Sequence, residues 1–382
     1  MRILQVNVIY GHGSTGKIVE TLHKQYLSLG HESYVLFGRG KRSKDPNVRR
    51  TGFLWEAKLW RFIQLFTGNF LGGSPLSTWN LKRHIRRIHP DVVHLHCVNG
   101  NMCNVFSLLK WLKKYGYKTV LTHHAKFMFT GGCGLNLCEG FATGCGNCPH
   151  KKEVFGRFCG DKSAKNVKRL SDLDLSGAWI QHAYVSPWLR QQAEKSALLK
   201  NAHNHVVYNP VDLRLEAVTA KKPYVFFPIS LKADYKGWNF IEPLGKKLKE
   251  LGVDLYVTGS GQEAFNSSNI KDVGRINNKN DLARCYAEAI ATVILSRCES
   301  FSMPVIESLL CGTPVVGFKA GAPETLDVFG CASFYEYGNL DLVASRAKEL
   351  LQNPINIDTR KLVALYGSAA VADRYIEIYQ RN

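Results

Sequence analysis

The sequence predicts an α/β fold of two doubly wound domains, and three features of its 382 residues carry that prediction. Apolar runs of strand length alternate with helical patterns in both halves. A glycine-rich turn follows the first run. The alternation breaks once, at Asn209-Pro210. In order, "RILQVNVIY" reads as a strand, "GKIVETLHKQYLSLG" as a helix, and "SYVLFG" and "PDVVHLH" as strands. "NVFSLLKWLKKYG" follows as a helix, with "KTVLTHH" and "AYVSP" as strands. The second half repeats the scheme, with "YVFFPIS", "VDLYVTGSG", "ATVILS" and "TPVVGF" as strands and "WNFIEPLGKKLKELG", "DLARCYAEA" and "PVIESLLCG" as helices. Near-continuous apolar strands separated by helices indicate parallel sheets covered on both faces. The expected boundaries are 1–207, with a Cys-rich insert at 130–150, and 208–365. Residues 366–382 form an amphipathic helix that returns to the first domain, with Val371, Tyr375, Ile378 and Tyr379 near one face.

The turn "YGHGSTGKIV" (10–19) satisfies parts of two nucleotide signatures. As a P-loop it fails after Gly16-Lys17, where Ile18 stands in place of the magnesium-binding hydroxyl. As a dinucleotide fingerprint, through Gly11, Gly13 and Gly16, it lacks an acidic residue at the end of the second strand, which closes on Gly38 and Arg39. A strand, a glycine turn and a helix N-terminus remain, able to approach a phosphate or a sugar through Gly13, Ser14, Thr15 and Gly16, or to turn the chain with no ligand.

Charge is distributed unevenly. Residues 1–200 hold 30 Lys+Arg against 11 Asp+Glu, and residues 201–382 hold 20 against 20, so the first half carries all of the net +19. Such a field attracts polyanions: nucleic acid, an anionic membrane surface or a phosphorylated acceptor. The aromatic stretch 53–73, "FLWEAKLWRFIQLFTGNFLGG", leaves two readings open, a core or inter-domain helix and a segment that enters a membrane surface. The first apolar run is too short for a signal-peptide core, and no run approaches the roughly 18 residues of a spanning helix. The expected location is the cytoplasm, peripheral at the inner face of the cell membrane.

The second half contains "SRCESFSMPVIESLLCGTPVVGFKAGAPE", in which seven residues separate Glu299 from Glu307. With Ser296, Phe301, Pro304 and "GTPVV" around this pair, and with the "GSTG" turn, "NPVD" and Lys236-Gly237 in the same order, the chain resembles retaining glycosyltransferases of family 4. These have the GT-B architecture of two facing Rossmann-like domains with a cleft between them, and the kind resembled serves bacterial surface-polysaccharide (colanic acid, O-antigen, capsule) biosynthesis. The resemblance implies a hexosyltransferase that takes a UDP- or GDP-sugar donor and a lipid-linked or glycan acceptor. It requires no cofactor for catalysis and no metal, and the leaving phosphate acts as base. The resemblance gives Glu307 the nucleotide ribose, and gives Glu299 and the amides of Phe301, Ser302 and Met303 the donor sugar. Lys236 and Lys232 face the diphosphate and His123 faces the donor sugar. Two departures stand out: Leu231 occupies the position of a family arginine, and His124 the position where a subset has aspartate.

Cys133, Cys138, Cys145 and Cys148 lie within sixteen residues and include a C-x-x-C. The set suits a tetrahedral structural zinc, with disulfides, free thiols or an iron–sulfur site as alternatives. A similar Cys-rich insert occurs in a subset of the resembled transferases. A basic zinc-knuckle protein that binds nucleic acid is the rival from another class, and a P-loop kinase or dehydrogenase is a third. The nucleic-acid reading leaves the two glutamates and the second domain unexplained, so nucleic acid is not an expected partner.

Overall fold

The computed structural model describes residues 1–69, 71–134, 138–155, 158–214, 220–326 and 328–381. The chain forms two compact units, residues 1–210 with 371–381, and residues 211–370. The sheet of the first unit contains β1 (Arg2–Asn7), β2 (Glu32–Phe37), β3 (Val48–Arg50), β4 (Val92–Leu95), β5 (Thr119–His123), β6 (Ile180–Tyr184) and β7 (Asn204–Val206), in the order β3-β2-β1-β4-β5-β6-β7. Every pairing is parallel. In the second unit β8 (Lys222–Phe227), β9 (Asp254–Val257), β10 (Ile270–Asp272), β11 (Ala289–Ile294), β12 (Val315–Phe318) and β13 (Ala332–Tyr335) run parallel in the order β10-β9-β8-β11-β12-β13. The short edge strands β3, β7 and β10 carry too little apolar pattern to stand out in the sequence.

The helix Gly13–Ser28 buries Ile18, Val19, Leu22 and Tyr26, spaced to face one side of a helix, against the first sheet. The helix Ser368–Gln380 completes the same core, where Val371, Ala372, Tyr375, Ile378 and Tyr379 join Ile3, Leu22, Tyr26, Val92 and Val120. Its tyrosines are also wired into the sheet. The Tyr379 hydroxyl lies 2.8 Å from that of Tyr26 and 2.6 Å from His94 Nδ1. His94 Nε2 lies 2.7 Å from Thr122 Oγ1, which lies 2.9 Å from the Tyr375 hydroxyl.

The helix Leu54–Thr67 inverts the usual pattern. Its one buried residue is Glu56, while Trp55, Leu59, Phe62, Leu65 and Phe66 are exposed. The Glu56 carboxylate accepts the Leu76 and Ser77 amides at 2.8 Å each and the Ser77 hydroxyl at 2.5 Å, capping the helix Pro75–Ile88, whose own N-cap residue Ser74 makes no such bond. A fully satisfied carboxylate can be buried. The reading of 53–73 as a core helix therefore does not hold for its unit; Phe70 lies outside the described residues. No helix among the described residues is long and apolar enough to cross a membrane.

All 13 histidines precede residue 206, and His94, His96, His123, His124 and His182 are buried in the first unit. Burial lowers the pKa values of His124 and His182 from 6.5 to about 4. The unfolded chain therefore binds these protons first as pH falls. The stability the neutral rings contribute is complete above pH 6.5 and is lost between 6.5 and about 4, at about 1.4 kcal/mol per pH unit for each ring. Urea midpoints followed by near-UV circular dichroism should fall steeply from pH 6.5 to 4.5, with the first unit unfolding first. A flat profile over that range contradicts the neutral-histidine core.

Candidate active site

In a doubly wound sheet, ligands bind beyond the carboxyl ends of the strands where the strand order reverses. In the second unit that point lies between β8 and β11. The segment after β8 delivers Lys236, and the segment after β11 delivers Glu299. Lys236 Nζ donates to Glu299 Oε1 at 2.7 Å, both side chains being largely buried. Backbone contacts fix both partners. Gly237 adopts φ +89, and a Cβ there would lie 2.4 Å from Leu295 Cβ and 2.6 Å from the Leu295 carbonyl oxygen, so only glycine admits this approach. The Glu299 amide donates to the Ala320 carbonyl at 2.8 Å, and the Ala322 amide donates to the Glu299 carbonyl at 3.1 Å.

The connection from β11 continues into the helix Met303–Leu310. Ser302 takes the left-handed conformation (φ 72), and its side chain does not cap the helix. The hydroxyls of Ser296 and Ser302 are buried with no hydrogen-bond partner, which is costly unless a ligand meets them. Phe301 is buried and packs edge-on against Tyr366, and Met303 opens the helix. Glu307, one turn further on, accepts the Tyr286 hydroxyl at 2.9 Å. Burial, then the Glu307 charge, holds the Tyr286 phenol far above its ordinary pKa, so it donates. Tyr286 lies on the helix Lys279–Glu288, and no motif marks it in the sequence.

Lys232 is placed differently: it pairs with Glu263 and lies over the Trp238 ring, with no contact to Glu299. The glycine loop after β9 is also occupied from within. Asp272 accepts the amides of Gly259 at 2.8 Å, Gly261 at 2.7 Å, Glu263 at 3.1 Å and Gly274 at 2.9 Å. A loop that holds its own carboxylate is not an open anion site.

The order of the first unit reverses between β1 and β4. There Gly13 opens its helix with φ +64, and a Cβ would lie 2.9 Å from Ile9 Cδ1. Gly16 is buried, Ser14 and Lys17 are exposed, and the Thr15 hydroxyl accepts from Asn7 Nδ2 at 3.4 Å. The N-cap residue, His12, makes no side-chain capping bond. His123 ends β5 and is 1% exposed. The His182 Nε2–H donates to the Leu175 carbonyl at 2.7 Å, so His182 Nδ1 must accept, and it accepts His123 Nε2–H at 2.9 Å. His123 Nδ1 is left as a bare acceptor, buried and without a partner. His124 takes no part in this pair; its Nε2 lies 3.2 Å from His96 Nδ1. Cys133, Cys138, Cys145 and Cys148 line one cavity. Among the described residues, however, no three His, Cys, Asp or Glu side chains stand close enough together to hold a metal ion as placed.

Residues 15–215 match the family description "Glycosyltransferase Family 4", and residues 215–353 match "Glycosyl transferases group 1". The putative colanic acid biosynthesis glycosyl transferase WcaC of Escherichia coli (strain K12) is 23% identical over 410 residues, covering 100% of both chains. The sucrose-phosphate synthase of Thermosynechococcus elongatus is similar with a TM-score of 0.67 at 14% identity, over 100% of this chain and 98% of that one. Alr3699/HepE of Anabaena, solved in complex with UDP, is similar with a TM-score of 0.62 at 13% identity, over 99% of each chain. Two Rossmann-like units of this kind define the GT-B class of glycosyltransferases. Within that class, the chain belongs to glycosyltransferase family 4.

Gly237→Ala tests how Lys236 is positioned. A Cβ on a left-handed residue costs about 1–2 kcal/mol before any clash with Leu295 is counted. The variant should lower the urea midpoint and weaken any phosphate ligand of the second unit, whereas Gly252→Ala, where φ is +69 and a Cβ meets nothing within 4 Å, should show only the conformational cost.

Proposed function

We propose that this glycosyltransferase moves a hexose, with retention of configuration, from a UDP- or GDP-sugar to a lipid-linked or polysaccharide acceptor in surface-polysaccharide assembly. The observation that carries the donor reading is the Lys236–Glu299 pair at the strand-order reversal, beside two buried serine hydroxyls without partners. UDP bound in the Anabaena relative of like fold, and the colanic acid assignment in the name of the Escherichia coli relative, support donor and pathway class.

In this reading the bond from the sugar anomeric carbon to the diphosphate oxygen breaks, and the leaving oxygen gains negative charge. The Lys236 ammonium and the start of the helix Met303–Leu310 stabilise that charge, so a metal ion is not required. The acceptor hydroxyl adds to the same face of the sugar, and its proton passes to the leaving phosphate oxygen. Glu307, oriented by Tyr286, accepts the ribose hydroxyls, while Glu299 and the amides of Phe301, Ser302 and Met303 hold the sugar. In the first unit, the bare His123 Nδ1 can accept a hydrogen bond from a hydroxyl.

A thermal-shift series over UDP- and GDP-sugars tests the reading. A donor at 100 times its Kd should stabilise the chain by about 2.7 kcal/mol. Glu307→Ala should weaken that donor at least about tenfold, the equivalent of roughly 1.4 kcal/mol. No stabilisation by any nucleotide sugar, with transfer unchanged in Glu307→Ala, would sink the assignment.

The acceptor reading places the chain at an anionic membrane face. Trp55, Phe62 and Phe66 on the helix Leu54–Thr67, with Trp79 and Phe158 nearby, are 54–69% exposed, and Phe66 stacks on Phe158 at 5.4 Å. Exposed Lys58, Arg61, Arg83, Arg86 and Arg87 accompany them, the combination that inserts apolar rings beneath anionic headgroups. Co-sedimentation with phosphatidylglycerol vesicles should exceed that with phosphatidylcholine, fall with salt, and drop severalfold in Phe62→Asp/Phe66→Asp. Equal binding to both vesicle types removes the electrostatic part of this reading.

A further inference from the structure

Beyond the buried residues Phe127, Met128 and Phe129, the cysteine-bearing stretch has few apolar side chains to hold it together. Among its described residues 138–150, Phe141 is the one buried large apolar side chain, and the only regular element is the short turn Gly140–Thr143. Four successive residues, Gly144, Cys145, Gly146 and Asn147, take positive φ of 92, 62, 99 and 52. Two of them are not glycine, and left-handed side-chain residues carry a conformational cost that something else must offset. The four local cysteines stand as free thiols, so in this structure no disulfide supplies the offset.

Those thiols converge. Cys133, Cys138, Cys145 and Cys148 line a single cavity of about 100 Å³, closed by Thr130, Phe141 and Pro149. The Gly140 amide donates to Cys138 Sγ at 3.3 Å, the kind of backbone contact that steadies a ligating sulfur. The backbone around the cavity is already anchored from outside: the Cys148 amide donates to Asp161 at 2.6 Å, the Gly146 amide to the Ser163 hydroxyl at 2.9 Å, and the Thr130 hydroxyl to the Cys133 carbonyl at 3.0 Å. These bonds anchor the backbone that carries the thiols around the cavity.

We propose that these four cysteines bind one structural zinc ion. Four soft thiolates lining one cavity match the tetrahedral closed site that zinc prefers and leave no open position for catalysis. Four thiols release their protons on binding, and the metal–sulfur bonds supply the folding free energy that a core of one phenylalanine does not. The ion ties the segment to the connection at Asp161–Ser163, and through the Lys126 amide, which donates to the Gly134 carbonyl at 2.8 Å, to the chain leaving β5. The proposal is independent of the sugar-transfer reading.

The test uses the full chain purified without chelator from zinc-supplemented medium. Mass spectrometry of metals should find one zinc per chain, and Cys145→Ser/Cys148→Ser should lose it, with a lower Tm. Replacement of the ion by cobalt(II) in the unaltered chain should give intense sulfur-to-metal charge-transfer bands and the visible bands of a tetrahedral site. This second measurement stands even where the variant fails to fold. Less than a tenth of an equivalent of zinc, a brown iron–sulfur chromophore, or an intact mass four protons light from two disulfides would each overturn the proposal.

Discussion

The structure rests on one topological constraint: parallel strands whose order reverses between the first and fourth members of each sheet. Right-handed connections then leave the two middle strands toward opposite faces, and a crevice opens beyond their carboxyl ends. In the second unit this brings Lys236 and Glu299 to 2.7 Å across 63 residues of sequence. Gly237 exists to let that approach happen, since any side chain there would enter Leu295. In the first unit the same constraint places the glycine turn after β1 beside the end of β4.

The interior of the first unit is unusually polar for a parallel sheet, and hydrogen-bond direction explains why it is stable. Gln5 donates to the Val19 carbonyl, so its oxygen accepts His96 Nε2–H, and His96 Nδ1 in turn accepts from His124. The pair His123–His182 runs the same way toward the Leu175 carbonyl. Each ring is neutral and each tautomer is dictated by a carbonyl at the end of its relay. One consequence is that the relay leaves His123 a bare acceptor nitrogen. The histidine at position 124, where a subset of the resembled transferases has aspartate, belongs to the other relay.

The helix Leu54–Thr67 and the cysteine segment mark where ordinary core burial fails. In the helix, Glu56 is buried because it accepts three hydrogen bonds at the start of the following helix, while a row of apolar side chains stays exposed. The rings are left outward and available to a partner. In the cysteine segment the apolar content is too small to order the backbone, and the thiols stand where a core would be.

The sequence by itself determined the two doubly wound units, the strands with strong apolar runs and the family, because periodicity and an ordered set of short motifs are local properties. The resemblance also pointed to Lys236, Glu299 and Glu307, and the structure brings the first two together at 2.7 Å. The edge strands, Tyr286 behind Glu307, Asp272 filling the glycine loop and Glu263 capturing Lys232 were invisible, because each is a contact between segments distant in sequence. Glu56 shows the limit most plainly: hydropathy assigns the aromatic face to the core and the carboxylate to water. Only the tertiary structure, by supplying three donors to that carboxylate, reversed the two.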